Sequence, residues 1–331
     1  MREDLEITIK LENGKAYLEF ALPEMIGRLL SALQIEIWEG AEGERLVFHG
    51  EYAPEETDSM TALLLRPHLW DGMRDPYVYL VKAQGRFGGA EHGEKAGVTA
   101  DADAIDEVTK VYWQQELVIY DVHVIDKKGI FLNEKEFLPR EVAYRLPPQI
   151  SEAGTREEQI KRDLERLARM GANAIWLEGT GSGTDGQDIR PVREFCSLCR
   201  RRGFLMGSLW IKPENIPVYR GLPGETAALL STDGRTLTEQ YYYYQAKWSN
   251  EPVLYPALST LHRQENGLAA LTIYSNQKKV VLYVDGVLFL FQTSHPGDPE
   301  FIFEDIPVAK LPLHLAAEAG NLSISLTVTK I

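Results

Sequence analysis

Residues Thr155 to Gly179, TREEQIKRDLERLARMGANAIWLEG, constrain the fold more than any other stretch. Thr155 is a good helix N-cap, and Glu158 three positions later completes a capping box. Ile160, Leu164, Leu167 and Met170 recur at helical spacing as one apolar stripe. Gly171 supplies a left-handed C-cap. Asn173 to Leu177 is then a short apolar run, the pattern of a strand covered on both faces. A helix that hands the chain to such a strand is half of a parallel α/β unit.

The stretches on either side read differently. Before it, LEITIKL, KAYLEFAL, ALQIEIWEG, ERLVFHGEYA and TALLLRP alternate apolar and polar positions, with Asn13-Gly14 as a hairpin turn. VYWQQELVIYDVHVID reads as the last strands of the same antiparallel sandwich. After it, residues 252–331 return to alternation, and about seven short strands fit a second immunoglobulin-like sandwich. Between the two lies a second helix, DIRPVREFCSLCRRRGF, with Phe195, Leu198 and Cys199 on its apolar stripe, and then FLMGSLW as a buried strand. The domains expected are therefore 1–128, a β-sandwich; 129–248, an α/β module; and 249–331, a second sandwich.

The chain has 331 residues and a formal charge of −14, from 35 basic and 49 acidic side chains. That balance repels phosphates and argues against nucleic acid or an anionic membrane as partner. No apolar run is long enough to span a bilayer, and MREDLEITIK is charged rather than signal-like. A cytoplasmic location is expected.

Several chemical motifs fail on spacing. Asp101, Asp103 and Asp106 suggest calcium, but the required Gly and Glu positions hold Asp106 and Tyr112. GTGSGTDGQD lacks the Lys of a phosphate loop, and Gly179, Gly181 and Gly183 do not make a dinucleotide fingerprint. It reads as a strand-to-helix loop. Cys196 and Cys199 lie inside a helix, without the two further ligands zinc needs. They read as small core-facing residues. No metal or cofactor is expected.

GIFLNEKEFLPREVAYR (Gly129 to Arg145) and the helix and strand after it resemble the start of the catalytic barrel in family 2 glycoside hydrolases, the β-galactosidase and β-glucuronidase family. Pro67 to Gly85 resembles the end of that family's immunoglobulin-like domain, with Trp70 and Tyr77 as core or corner residues. STDGRTLTEQYYYYQAKWSNEPVLY (Ser231 to Tyr255) resembles the barrel exit, and LTIYSNQKKVVLYVDGVLF the domain after the barrel, with Asp285-Gly286 as a hairpin turn. Two departures stand out. Trp176 occupies the place of the family's Arg at the end of the second strand, and no His follows it. Only roughly 100 residues separate the first strand from the exit, whereas a full barrel has eight units in about 250 residues.

The resemblance thus implies a truncated, half TIM-type barrel between two sandwiches. Strand three would end at Trp210. Residues 211–230 would bridge the gap as loop, with Thr226 to Leu230 as an eighth-strand equivalent beside strand one. The open barrel edges would be covered by the flanking sandwiches, by a second copy in a homo-oligomer, or by a partner subunit.

Both catalytic Glu segments of the family fall in the missing part. Asn133-Glu134 falls on a hairpin, and Asn250-Glu251 reads as an interdomain turn. Glu178 and Glu214 follow the second and third strands and form the best candidate pair for a repurposed site; salt-bridged or solvated roles are the competing reading. Trp176, Trp210, Asp185 and Glu141 are candidate carbohydrate-binding residues near the strand ends. The two tryptophans could instead fill the vacated barrel interior. Two functions stay open: a non-catalytic carbohydrate-binding or assembly protein, and a β-glycosidase with a relocated carboxylate pair.

Overall fold

The period-two segments become strands and the 3.6-residue stripes become helices, in the order the sequence lays them down. The computed structural model describes every residue except 1–4, 23–25, 27–28, 54–59, 88–109, 149, 152–153, 179–189, 208–215, 221–227 and 232–233. The acidic excursion at 88–109 and all of the glycine-rich loop therefore lie outside the described residues. The chain divides into two compact units, Met1–Leu138 with Arg200–Gly203, and Pro139–Cys199 with Phe204–Ile331.

The first unit holds β1 (Glu6–Glu12), β2 (Lys15–Ala21), β3 (Leu30–Glu39), β4 (Arg45–Tyr52), β5 (Met60–Leu65), β6 (Tyr79–Phe87) and β7 (Lys110–Leu117). They form two antiparallel sheets, β1-β2-β5 and β4-β3-β6-β7. The inward residues of both sheets, among them Leu18, Phe20, Ile35, Ile37, Leu64 and Val81, share one core. That is a sandwich whose core residues come from alternate positions of both sheets. The Tyr79 hydroxyl at the start of β6 accepts from the His68 backbone N–H at 2.7 Å, the tyrosine corner of immunoglobulin-like folds. The corner residue is thus Tyr79; Tyr77 packs against the sandwich core and stacks on the His68 ring, with centroids 3.8 Å apart. Trp70 is core, 1% exposed.

The stretch VYWQQELVIYDVHVID splits. β7 belongs to the sandwich, but β8 (Val122–Ile125) pairs with β9 (Gly129–Leu132), and β9 with β10 (Lys135–Phe137), in a separate three-stranded sheet. Asn133 and Glu134 make the β9–β10 turn with φ of 49° and 65°. Asn133 ties this sheet down, its side-chain amide donating to the Trp70 carbonyl at 2.9 Å.

The second unit begins with β11 (Glu141–Tyr144) and the short ladder β12 (Ile150–Ser151) and β13 (Gly154–Thr155). Helix α1 (Arg156–Met170) follows, with the full capping box at Thr155 and Glu158 and with Gly171 at φ 94°. Then come β14 (Ala174–Leu177), α2 (Arg190–Arg202), β15 (Leu205–Met206), β16 (Val218–Arg220), β17 (Ala228–Leu230) and α3 (Glu239–Trp248). The five strands form one parallel sheet in the order β15-β14-β11-β16-β17. Numbered within the sheet, that is third, second, first, fourth, fifth.

This order corrects two expectations. Residues 211–230 hold a strand, β16, where loop was expected, and it is β16 rather than Thr226 to Leu230 that lies beside the first strand. The physical reason is length. A three-residue strand between Pro217 and Gly221 shows no period, and its prolines and glycines read as loop.

Side chains of α1, α2 and α3 share one core with Val142, Tyr144, Ile175 and Tyr219. All three helices therefore cover the same face of the sheet. By alternation, Glu141, Ala143, Ala174 and Trp176 point to the other face.

The chain ends in β18 (Leu254–Arg263), β19 (Ala269–Ser275), β20 (Lys279–Val284), β21 (Val287–Thr293), β22 (Glu300–Ile306), β23 (Leu313–Ala319) and β24 (Leu322–Val328). Their sheets are β18-β19-β22 and β21-β20-β23-β24, the same strand order as the first sandwich shifted along the chain. Asp285-Gly286 makes the β20–β21 turn with φ of 48° and 80°. The Asn250-Glu251 turn lies between α3 and β18, where the Asn276 side-chain amide donates to the Glu251 carbonyl at 2.6 Å.

Buried tyrosines give this fold a pH signature. Burial pushes the Tyr79 and Tyr241 hydroxyls up to about 12. Burial, and then the Asp163 carboxylate, push Tyr144 and Tyr219 further up. An unfolded tyrosine ionises near pH 10. A folded value above the unfolded one stabilises fully below the unfolded value, and that stability is lost as pH rises. The urea midpoint should be insensitive to these groups up to about pH 9.5 and should fall between about pH 10 and 12. A midpoint unchanged at about pH 11 would contradict the burial of these hydroxyls.

Candidate functional site

Open parallel sheets place ligands beyond the carboxyl ends of their strands, where the strand order reverses. Here that point lies between β11 and β16. The pairing of β11 with β14 matches Glu141 to Ala174 and Tyr144 to Leu177, so Arg145 and Glu178 face each other just past the strand ends. The Arg145 guanidinium is ion-paired with the Glu178 carboxylate through Nε. Its Nη1 donates to the Arg220 carbonyl at the end of β16, 3.0 Å away. One arginine thus ties the ends of three adjacent strands together.

Below this pair, Trp176 is half-buried on the same face, opposite Ala143. Glu141 is the first residue of β11 and completely buried, at the opposite end of the strand from Glu178. The offset of four positions along parallel strands corresponds to roughly 13 Å. The structure therefore gathers Glu178 and Trp176 at one end of the sheet and leaves Glu141 at the other. Glu214, Trp210 and Asp185 lie outside the described residues.

On the helix-covered face, Asp163 of α1 is 1% exposed. Its Oδ2 accepts from the Tyr144 hydroxyl at 2.9 Å and from Arg220 Nη2 at 2.7 Å, and its Oδ1 from the Tyr219 hydroxyl at 2.9 Å. These partners stand at the ends of β11 and β16, so a buried charge pins α1 to both strands at the reversal point. Sequence reasoning missed this network; a salt-bridged Glu178 was among its readings, but not Arg145 as the partner. One signal was present: Asp163 lies three residues after Ile160, inside the apolar stripe, where an acid is admitted only with partners.

Among the described residues, no group of three or more His, Cys, Asp or Glu is placed to hold a metal ion. No helix among them is long and apolar enough to cross a membrane.

Two sandwiches of one strand order on either side of a parallel α/β segment in the chain make a fold similar to that of family 2 glycoside hydrolases. The FMN-binding β-glucuronidase from Facaelibacterium prausnitzii L2-6 matches with a TM-score of 0.68 at 14% identity, over 99% of this chain and 74% of that one. A putative β-galactosidase from Bacteroides fragilis matches at TM-score 0.64 and 13% identity, over 98% of this chain and 72% of that one. The β-glucuronidase of Parabacteroides merdae matches at TM-score 0.64 and 10% identity, over 98% and 63%. At these identities the likeness is one of fold. No family model matches the chain, and no curated protein matches it.

Proposed function

We propose that this chain is a non-catalytic relative of the family 2 glycosidases that binds carbohydrate at the end of its parallel sheet. The observation that carries the reading is the Arg145–Glu178 ion pair. Retaining glycosidases place two carboxyl groups about 5–5.5 Å apart, and inverting ones about 6.5–9.5 Å. Glu178 faces a guanidinium where a second carboxyl group would stand, and Glu141 is four strand positions away. The parallel module is read as the remnant of a barrel that has lost its catalytic segments. Trp176, with Trp210 and Asp185 from the neighbouring loops, would meet the sugar. The edges of the sheet, β15 and β17, are where a second copy or a partner subunit would add.

The test is turnover of fluorogenic β-galactosides, β-glucuronides, β-glucosides and β-mannosides at high protein concentration, with Glu178→Gln and Glu214→Gln in parallel. The expected result is no turnover above the protein-free blank. Turnover abolished by either substitution makes the protein a β-glycosidase with a relocated carboxylate pair and ends the non-catalytic reading. Light scattering on the same preparation decides the assembly part, since a monomer at every concentration removes it.

A further inference from the structure

The outer face of the four-stranded sheet in the first sandwich is not an ordinary solvated surface. Its register lines Gln34, Gln84 and Tyr112 across β3, β6 and β7, and Glu36, Lys82 and Gln114 in the next row. These six side chains border a depression of about 300 Å³, at the lower end of the range for small-ligand sites.

The floor is already organised. Glu36 accepts from the Trp38 indole N–H at 3.0 Å and from the Gln34 amide at 3.3 Å. Lys82 Nζ lies 5.0 Å from the centre of the Trp38 ring. Side chains that hold one another in place lose little freedom when a ligand arrives. Above them the Tyr112 ring is 65% exposed, an aromatic surface left open at the rim.

We infer that this face is a saccharide-binding site, holding one or two rings of a neutral glycan. Three glutamine amides and a carboxylate match sugar hydroxyls, which donate and accept at once. The Tyr112 ring offers a flat apolar surface to the C–H face of a pyranose. A polyanion is disfavoured by the chain's charge of −14. The site lies wholly within the first unit. It rests on the carbohydrate reading above and adds to it a second place where the sugar is held.

The experiment is calorimetric titration of the full chain with cello-, xylo-, manno- and β-1,4-galacto-oligosaccharides of about six units. It uses three variants: Tyr112→Ala, the double variant Gln84→Ala/Gln114→Ala, and Trp176→Ala in the parallel sheet. Thermal melts confirm that each is folded. We expect binding to one of these glycans to weaken at least about tenfold in Tyr112→Ala and in the glutamine pair, while Trp176→Ala leaves that binding phase in place. Binding that survives Tyr112→Ala but is lost in Trp176→Ala overturns this site and keeps the carbohydrate reading. Binding lost only at the sandwich face supports this site and removes the one at the sheet end. No binding to any of the four glycans overturns both.

Discussion

Replacing Asp163 with alanine is expected to destabilise the second unit by about 3–5 kcal/mol, the cost of leaving a buried charge without its partner. Asp163 is 1% exposed and Arg220 half-buried, so water replaces little of what the substitution removes. Two tyrosine hydroxyls lose their acceptor in the same step. Arg220→Met is expected to cost less, because Asp163 keeps both tyrosine donors. The double variant should recover part of the Asp163→Ala loss, since Arg220 is then not stranded and Arg166, 3.9 Å from Asp163, is the more exposed of the two cations. Urea unfolding followed by tyrosine and tryptophan fluorescence reads all three. A loss below about 1 kcal/mol for Asp163→Ala would mean that the pair is solvated, as exposed ion pairs are. The network pins α1 to the ends of β11 and β16, so a variant that still folds should loosen the β11 end that carries Arg145 and the β16 end whose Arg220 carbonyl it bonds.

What could be read from the sequence followed from how local each feature is. The α1 capping box, the Gly171 cap and the Asn13-Gly14 turn depend on residues within four positions of one another, and all three form. Each strand of the second sandwich is 6–10 residues long and most alternate, so about seven short strands could be read from the sequence. β16 is three residues long and was not. The candidate site was legible only in part for a different reason. Arg145 reaches the Arg220 carbonyl 75 positions away, and Arg220 reaches Asp163 across 57. Nothing local in the chain announces such pairings. The resemblance placed Glu178 and Trp176 at a strand end correctly, but only the register of β11 against β14 reveals that an arginine stands opposite that glutamate. The division between the first sandwich and the small β8–β9–β10 sheet was hidden too, because VYWQQELVIYDVHVID alternates without a break across both.

Gly171→Ala should cost roughly 2–5 kcal/mol, the sum of two effects. The residue sits at φ 94°, where an L side chain costs about 1–2 kcal/mol. A Cβ there would also stand 2.6 Å from the Trp248 carbonyl oxygen and 2.7 Å from its carbon, at the end of α3. Those are backbone atoms, and the same carbonyl is held by the Arg140 guanidinium, so the contact cannot be relieved by turning a side chain. Overpacking of this kind costs about 1–3 kcal/mol. The fold contains its own control. Gly286 in the β20–β21 turn has φ 80°, but a methyl group added there would meet nothing within 4 Å, so Gly286→Ala should lose only the conformational part, about 1–2 kcal/mol. The difference between the two variants, measured by urea unfolding, isolates the close approach of the α1 terminus to the α3 terminus. Equal losses would show that the two helix ends are not in backbone contact. A larger loss at Gly171 would make that glycine the point where the first parallel unit is locked to the helix that leads into the second sandwich.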